Sequence, residues 1–457
     1  MNRPSAFAGH AQPPLWRVYL LFLGPMVLAN ILQSLSGSVN AVYIGQMLGT
    51  SALAAVAGMF PVVFFFVALI IGVGAGASVL IGQAWGAREP HKVKAIAGTA
   101  LTLGACIGVA AAVLGELFAR PALVALGTSP ELLPDAVAYA RMMMLSMPLL
   151  LVFILFTQLL RGVGDTVTPL LALVLSTAVG LLLTPALIRG WLGLPQLGVA
   201  SAAVAAAASF AVALAFLWVY LRRRGHPLAP DAALLRELRL NPTLLRAVLR
   251  IGVPTGVQMV TIAMAELAIL GLVNGYGADA TAAYGAVNQI VNYVQFPALS
   301  IAITASILGA QAIGAGRSER LSAIVQTGLW LNLVLTGGLV LLGYLLSRWL
   351  LGFFITTPHV LGMAQTLLHV MLWASVVFGM QAVVAGVMRA SGTVWGPTAI
   401  SVGCIALVQL PAAHWLSARF GLQGVWMSYP VVFCSMLALQ SLFYRLVWRS
   451  QRIERLV

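Results

Sequence analysis

The sequence predicts an all-α polytopic membrane protein with twelve transmembrane helices in two pseudo-symmetric six-helix bundles. Three observations support this fold class. Of the 457 residues, 61% are hydrophobic and only 8% are charged, against about 25% charged residues in soluble domains. The apolar residues form long runs separated by turn and charged residues, and the pattern of the first half returns in the second half.

The first half of the chain contains six apolar runs that are long enough to cross a bilayer, which takes about 20 residues. Residues 1–15 precede them as a polar cytoplasmic tail, and residues 16–221 form the predicted N-lobe. Several runs exceed one perpendicular crossing, so we expect tilted or bent helices. We place the six spans at 16–44, 51–85, 95–118, 133–160, 167–189 and 197–221.

The polar stretch "LRRRGHPLAPDAALLRELRLNP" separates the two halves. We interpret residues 222–246 as a cytoplasmic linker, residues 247–447 as a C-lobe and residues 448–457 as a cytoplasmic C-terminal tail. The six spans of the C-lobe are predicted at 247–274, 281–313, 322–347, 361–388, 395–416 and 423–447.

The basic residues indicate the orientation of the chain. With the N-terminus inside, twenty of the 25 Lys and Arg residues fall on the cytoplasmic side. This asymmetry follows the positive-inside rule and predicts a multi-pass protein of the plasma (inner) membrane with both termini cytoplasmic. Because the basic residues lie in short loops, the net charge of +14 does not indicate a nucleic-acid partner. The five basic residues on the outer side are Arg120, Arg141, Arg189, Arg348 and Arg419.

An internal repeat relates the two halves. "GASVLIGQAWGA" (76–87) aligns with "TASILGAQAIGA" (304–315), and "LLRGVGDTVTP" (159–169) aligns with "VMRASGTVWGP" (387–397), both at an offset of 228 residues. Six spans per half is an even number, so both copies have the same orientation. We expect an axis along the membrane normal, with a substrate pathway between the halves.

The sequence contains no motif that indicates enzymatic chemistry. The run "GVGAGAS" at 72–78 contains GxGxG, but a long apolar helix precedes it where a dinucleotide site needs a strand. Close helix packing through small residues is the favoured interpretation. No P-loop is present, so uphill transport would have to use an ion gradient. The three cysteines are far apart, and we expect no enzymatic activity, no cofactor and no metal site.

One carboxylate lies well within a predicted span. It is Glu266, in the run "TIAMAELAILGLV" of span seven, and the other ten acids lie in loops, near span ends or in the tail. A charged side chain at mid-membrane costs roughly 2.5–3.5 kcal/mol on insertion scales, and such residues usually have a function. The alternative is a protonated structural carboxyl that hydrogen-bonds across helices.

Uncharged polar residues are predicted to surround this carboxylate. Span eight is antiparallel to span seven, and at the depth of Glu266 it carries the stretch "AVNQIVNYVQ". Each amide could instead hold helices together structurally. The candidates for a substrate or ion pathway are Asn40, Gln258, Asn288, Gln289, Asn292 and Gln381.

These motifs resemble those of the multidrug and toxic compound extrusion (MATE) transporters, across nearly the whole chain. The resemblance is carried by "SVNAVYIGQMLGTSALAAV" (38–56), "IGQAWGARE" (81–89), "LLRGVGDTVTP", "GAQAIGAGR" (309–317) and the Glu-bearing span seven. It implies an antiporter whose two lobes open alternately. An inward ion current would drive the efflux of amphipathic, mostly cationic small molecules.

The resemblance also implies a role for Glu266, which is similar to the span-seven acid that binds the coupling ion in NorM-like members. The chain differs from that pattern at Asn40, where many members have Asp, and in span ten, where Gln381 is the polar candidate and NorM-like members have an acid. A lone carboxylate favours a proton over sodium as the coupling ion, because the carboxylate can itself be the binding site. We expect a monomer surrounded by membrane lipid.

The alternative within the same superfamily is a flippase for lipid-linked saccharides. Those relatives tend to have cationic cavities for phosphorylated substrates, whereas no Arg or Lys lies in the middle of a span here. A passive channel would agree with the repeat but would not explain the buried acid.

Overall fold

A computed structural model describes residues 13–125 and 128–457, without the side chain of Leu192. Residues 1–12 of the predicted tail therefore lie outside the described residues. The described part of the first half folds into seven helices. They are α1 (Leu15–Leu48), α2 (Thr50–Gly86), α3 (Pro90–Ala125), α4 (Leu133–Leu145), α5 (Met147–Gly162), α6 (Val167–Arg189) and α7 (Ala200–Arg223).

The second half of the chain is helical in the same way. A short helix in the linker, α8 (Ala232–Arg236), precedes it. The helices of the second half are α9 (Pro242–Asn274), α10 (Ala278–Gly314), α11 (Leu321–Leu345), α12 (Ser347–Gly352), α13 (Pro358–Ala390), α14 (Trp395–Cys404), α15 (Leu410–Phe420) and α16 (Leu422–Leu446).

Within residues 13–125 and 128–457, eleven stretches of helix are long and apolar enough to cross a membrane, and a bent pair of shorter helices raises the number to twelve. The bent pair is α4 and α5, which meet at 45°. Ser146 separates them, and Pro148, which has no backbone N–H to donate, follows at the start of α5. In the eleventh span a π-helical segment, Ile405–Gln409, joins α14 to α15 just before Pro411. The predicted all-α membrane fold is confirmed.

The chain divides into two units. Among the described residues, one unit comprises Leu28–Trp85 and Glu89–Gly256, and the other comprises 13–27, Gly86–Arg88 and Val257–Val457. These boundaries do not coincide with the predicted lobes. The lobe and linker boundaries therefore stay a prediction.

Small residues bring two helices of the first unit into close contact. A Cβ atom added at Gly72 would overlap the carbonyl oxygen of Gly252, and one added at Gly76 would overlap the carbonyl oxygen of Val248. The run "GVGAGAS" is therefore helical and packs α2 against α9 backbone to backbone, as the sequence predicted.

Two loops at equivalent positions of the repeat adopt similar backbone conformations. Gly164 after α5 has a φ of +93°, and Gly392 after α13 has a φ of +80°, a region that favours glycine. Near the C-terminal end of the chain, the Leu456 side chain packs against Gly392 of the second loop. Leu456 is half-buried, and its repeat equivalent in the linker, Leu228, is buried.

Candidate functional site

Glu266 accepts hydrogen bonds from two tyrosines on different helices. The hydroxyl of Tyr284 on α10 donates to Oε2 of Glu266 at 2.7 Å, and the hydroxyl of Tyr429 on α16 donates to the same oxygen at 2.8 Å. The two hydroxyl oxygens are also 2.7 Å apart. Three oxygen atoms from three helices of the second unit therefore form a closed triangle, which we call the Glu–Tyr–Tyr triangle.

Apolar side chains surround this polar group. Tyr284 and Tyr429 are only 4% and 3% exposed and belong to the main hydrophobic cluster of the second unit, together with Ile269 and Val287. Glu266 itself is half-buried. Hydrogen bonds in such surroundings are electrostatically stronger than in water, and a polar group that lacks a partner there is costly. The triangle therefore lies where a change of charge has a large energetic effect.

The number of protons in the triangle depends on the state of Glu266. An ionised carboxylate only accepts, and each tyrosine hydroxyl has one proton to donate. With Glu266 ionised, both protons point to Oε2 and the contact between the two hydroxyls has no proton. With Glu266 protonated, three protons are available for three contacts, so each group can donate once and accept once. Protonated Glu266 therefore satisfies all three contacts, whereas ionised Glu266 keeps both hydrogen bonds to Oε2 and leaves the two hydroxyl oxygens 2.7 Å apart without a proton between them.

Asn288 is a predicted pathway residue that lies beside the triangle. Its side chain hydrogen-bonds to Tyr284, one helical turn away on α10. Gln258, two turns before Glu266 on α9, is half-buried. The remaining candidates are the half-buried Gln289, the exposed Asn292, the half-buried Asn40 on α1 and the buried Gln381 on α13.

Gln381 has one feature that is unusual for a buried amide. It is 5% exposed, and its Oε1 has no hydrogen-bond partner among the described residues. Buried polar atoms normally have a partner. The structure thus shows an unpartnered buried oxygen at Gln381, and a place for this residue in the pathway stays a prediction.

Sequence reasoning missed Tyr284 and Tyr429. A signal for Tyr284 was present, because it lies four residues before Asn288 and therefore on the same face of α10. Tyr429 comes from the last span, and no periodicity within one helix indicates which residue of another helix meets it. Across residues 13–125 and 128–457, no group of three or more His, Cys, Asp and Glu residues could hold a metal ion.

Comparison with protein families identifies the chain. The MatE family model matches residues 25–186 and 254–415, two stretches of equal length that together cover more than half of the sequence. The chain belongs to the MatE family. The double match also agrees with the internal repeat. MATE proteins are multidrug efflux transporters of the membrane, so this chain is a multi-pass membrane protein of a transporter family.

Two relatives illustrate the family. The chain is 40% identical over 458 residues to the probable multidrug resistance protein YoeA of Bacillus subtilis, an alignment that covers 100% of this chain and 99% of that protein. It is 27% identical over 424 residues to the FAD transporter of Shewanella oneidensis, which covers 93% of each chain.

Solved structures share the fold. The crystal structure of a mutant of the Vibrio cholerae MATE transporter VcmN is similar with a TM-score of 0.88 and 19% identity. This match covers 96% of the present chain and 98% of VcmN. At this identity the likeness supports the arrangement of helices and carries no information about the ion or the substrate.

Proposed function

We propose that this MATE protein is a secondary active antiporter of the plasma (inner) membrane that exchanges protons for amphipathic, mostly cationic compounds by alternating access. The observation that carries the proposal is the Glu–Tyr–Tyr triangle. It gives the one acid well within a span two hydrogen-bonded states that differ by a proton. The protein family and the B. subtilis relative, a probable multidrug resistance protein, support the export of drugs.

The exchange follows from competition for one negative charge. A cationic substrate that enters from the cytoplasm stabilises the ionised form of Glu266, which releases its proton. A proton from the outside then neutralises the carboxyl, and the substrate loses its electrostatic partner. By linkage, proton and substrate weaken each other's binding reciprocally.

The donors around Glu266 favour a proton over sodium in this proposal. Sodium requires several oxygen lone pairs directed at one point, as hard cations do. In the triangle the tyrosine hydroxyls direct their protons, not their lone pairs, towards Oε2. Asn40 lies where many members of the family have Asp, and Gln381 lies in the span where NorM-like members have an acid. Both residues are neutral and add no charge for a metal cation.

Glu266→Gln tests this proposal. The amide keeps the size and a hydrogen-bonding capacity of the side chain but removes the exchangeable proton. In inverted vesicles we expect ethidium accumulation driven by a proton gradient to fall at least tenfold, and a sodium gradient to support little accumulation in wild type. Purified wild type should release protons on binding ethidium, and Glu266→Gln should release fewer.

Three outcomes would contradict the proposal. Wild-type transport by Glu266→Gln would make the carboxyl structural. Accumulation that follows sodium and is indifferent to the proton gradient would make the coupling ion sodium. Transport confined to anionic compounds such as FAD, the substrate in the name of the Shewanella relative, or to lipid-linked saccharides, would overturn the substrate class.

A further inference from the structure

A cavity of about 500 Å³ lies in the first unit, where the ends of α2 and α7, the start of α3 and the linker come together. It is outside the Glu–Tyr–Tyr triangle, and the proposed transport mechanism does not use it. Its polar lining consists of Lys94, Arg222, His226 and Asp231, and Trp85 forms one of its apolar walls. In the predicted topology this is the cytoplasmic membrane interface.

The charges of the lining favour an anion. Lys94 pairs with Asp231 at 2.5 Å, so the one acid of the lining is already neutralised. Arg222, in the last turn of α7, is exposed and forms no ion pair within the described part of the chain. The cavity therefore keeps the positive charge of Arg222.

His226 is neutral in this arrangement and adds no charge. Its Nδ1 accepts a hydrogen bond from the backbone N–H of Leu228 at 3.1 Å. The proton of the ring is therefore on Nε2, which lies 3.6 Å from Oδ2 of Asp165. Asp165 also accepts from the backbone N–H groups of Val167 and Thr168. Several hydrogen-bond donors thus stabilise the negative charge of Asp165.

Trp85 is the aromatic residue of the cavity lining. The indole Nε1 of Trp85 is buried and has no hydrogen-bond partner among the residues described. A buried N–H normally has an acceptor. Trp85 lines the cavity together with Arg222, whose guanidinium is free of ion pairs within the described residues. The guanidinium in particular binds phosphate through two parallel N–H groups.

The outer surface of α7 indicates where such a phosphate comes from. Trp218 and Val219 are 42% and 48% exposed and lie four and three residues before Arg222, on the same face of the helix. A phosphate held by Arg222 therefore has an apolar surface next to it, within the predicted span. A cation at the interface with an apolar surface next to it, within the membrane, matches the headgroup and the acyl chains of a phospholipid.

We propose that this cavity binds the phosphate group of an anionic phospholipid of the cytoplasmic leaflet. Arg222 is the principal ligand, Lys94 is shared between Asp231 and the phosphate, and the acyl chains lie along Trp218 and Val219. Basic pockets at the cytoplasmic ends of transmembrane helices are suited to such headgroups, and the cytoplasmic leaflet is rich in anionic lipid.

The test is a titration of purified full-length protein in a neutral detergent with phosphatidylglycerol, followed by native mass spectrometry and by the thermal unfolding midpoint. We expect saturable binding of phosphatidylglycerol, a raised unfolding midpoint and weaker binding at higher salt. Arg222→Gln should bind about fivefold more weakly, the effect of one basic residue near an anionic lipid. Arg222→Lys should recover part of the loss.

The matched control is Arg223→Gln, since Arg223 is the next residue, is equally basic and exposed, and does not line the cavity. It should bind phosphatidylglycerol like wild type. Glu266→Gln should also bind normally, which separates this proposal from the transport mechanism. Equal weakening by Arg222→Gln and Arg223→Gln would mean unspecific charge attraction and overturn the site. Equal binding of phosphatidylcholine, or equal stabilisation by inorganic phosphate, would overturn the anionic-lipid assignment.

Discussion

Tyr429 donates to Glu266 at 2.8 Å across 163 residues of sequence, so the last span positions the one deeply placed acid of the seventh. Tyr284 completes the triangle from α10. Because the three oxygens share their protons, the two tyrosines should act as one unit. Residues in one hydrogen-bond network do not contribute additively.

We therefore predict that Tyr429→Phe and Tyr284→Phe each slow proton-driven ethidium transport about tenfold or more, and that the double variant is scarcely slower than either single one. A hydrogen bond to a charged group contributes about 1.5–3 kcal/mol. The measurement is a double-mutant cycle on initial rates of ethidium accumulation in inverted vesicles. Tyr344→Phe is the control, because the Tyr344 hydroxyl donates to the backbone oxygen of His369 and not to a carboxylate. Strictly additive losses would show that the tyrosines act independently.

The predicted topology can be tested with single cysteines in a background whose three native cysteines are replaced by alanine. Cysteines at Ser51 and Asp279 should react with an impermeant thiol reagent added to intact cells, and one at Arg236 should not. All three positions are exposed, so a lack of reaction reports the side of the membrane. The reverse labelling pattern would invert the orientation that the basic residues predict.

Gly72→Ala should destabilise the protein, because the new methyl group would overlap the Gly252 carbonyl. Overpacking of this kind costs about 1–3 kcal/mol. Gly58→Ala, in the same helix, is the matched control: no atom lies within 4 Å of its added Cβ, and alanine favours a helix over glycine by up to about 1 kcal/mol. Thermal unfolding in one detergent should show a lower midpoint for Gly72→Ala only. Similar midpoints for both variants would refute close packing at Gly72.

The docking of the linker should weaken as the pH falls below about 6.5. Burial lowers the pKa of His226, and the Asp165 carboxylate opposes part of this effect. His226 has a lower pKa in the folded protein than in the unfolded chain. At pH values between these two pKa values, the folded state therefore binds fewer protons than the unfolded state. The stability of the docked linker consequently rises with pH across this range, and above the range the contribution of neutral His226 is fully present.

Hydrogen exchange of residues 226–236 measures this effect. Exchange should speed up between pH 7 and pH 5.5, after correction for the intrinsic pH dependence of exchange. His226→Gln, which does not titrate, should show a corrected rate that is independent of pH. Protection that increases on acidification would reverse the predicted sign.

The helices could be predicted well because each span is long and apolar, and because charged residues and glycines mark the span ends. The bend at Ser146 and the π-helical segment before Pro411 were not predicted, since both depend on which backbone groups lose their partners locally. Glu266 was found because an acid within an apolar run is exceptional. Tyr429 was missed because contacts between distant spans depend on helix packing, which a single sequence does not reveal.

The loops at Gly164 and Gly392 have a consequence for the ancestry of the chain. Leu228 in the linker and Leu456 near the C-terminal end are separated by the repeat offset of 228 residues, and both are packed against protein, Leu456 against Gly392. A tandem gene duplication accounts for this correspondence. The linker after the first half is thus the repeat counterpart of the segment that packs on Gly392 after the second half.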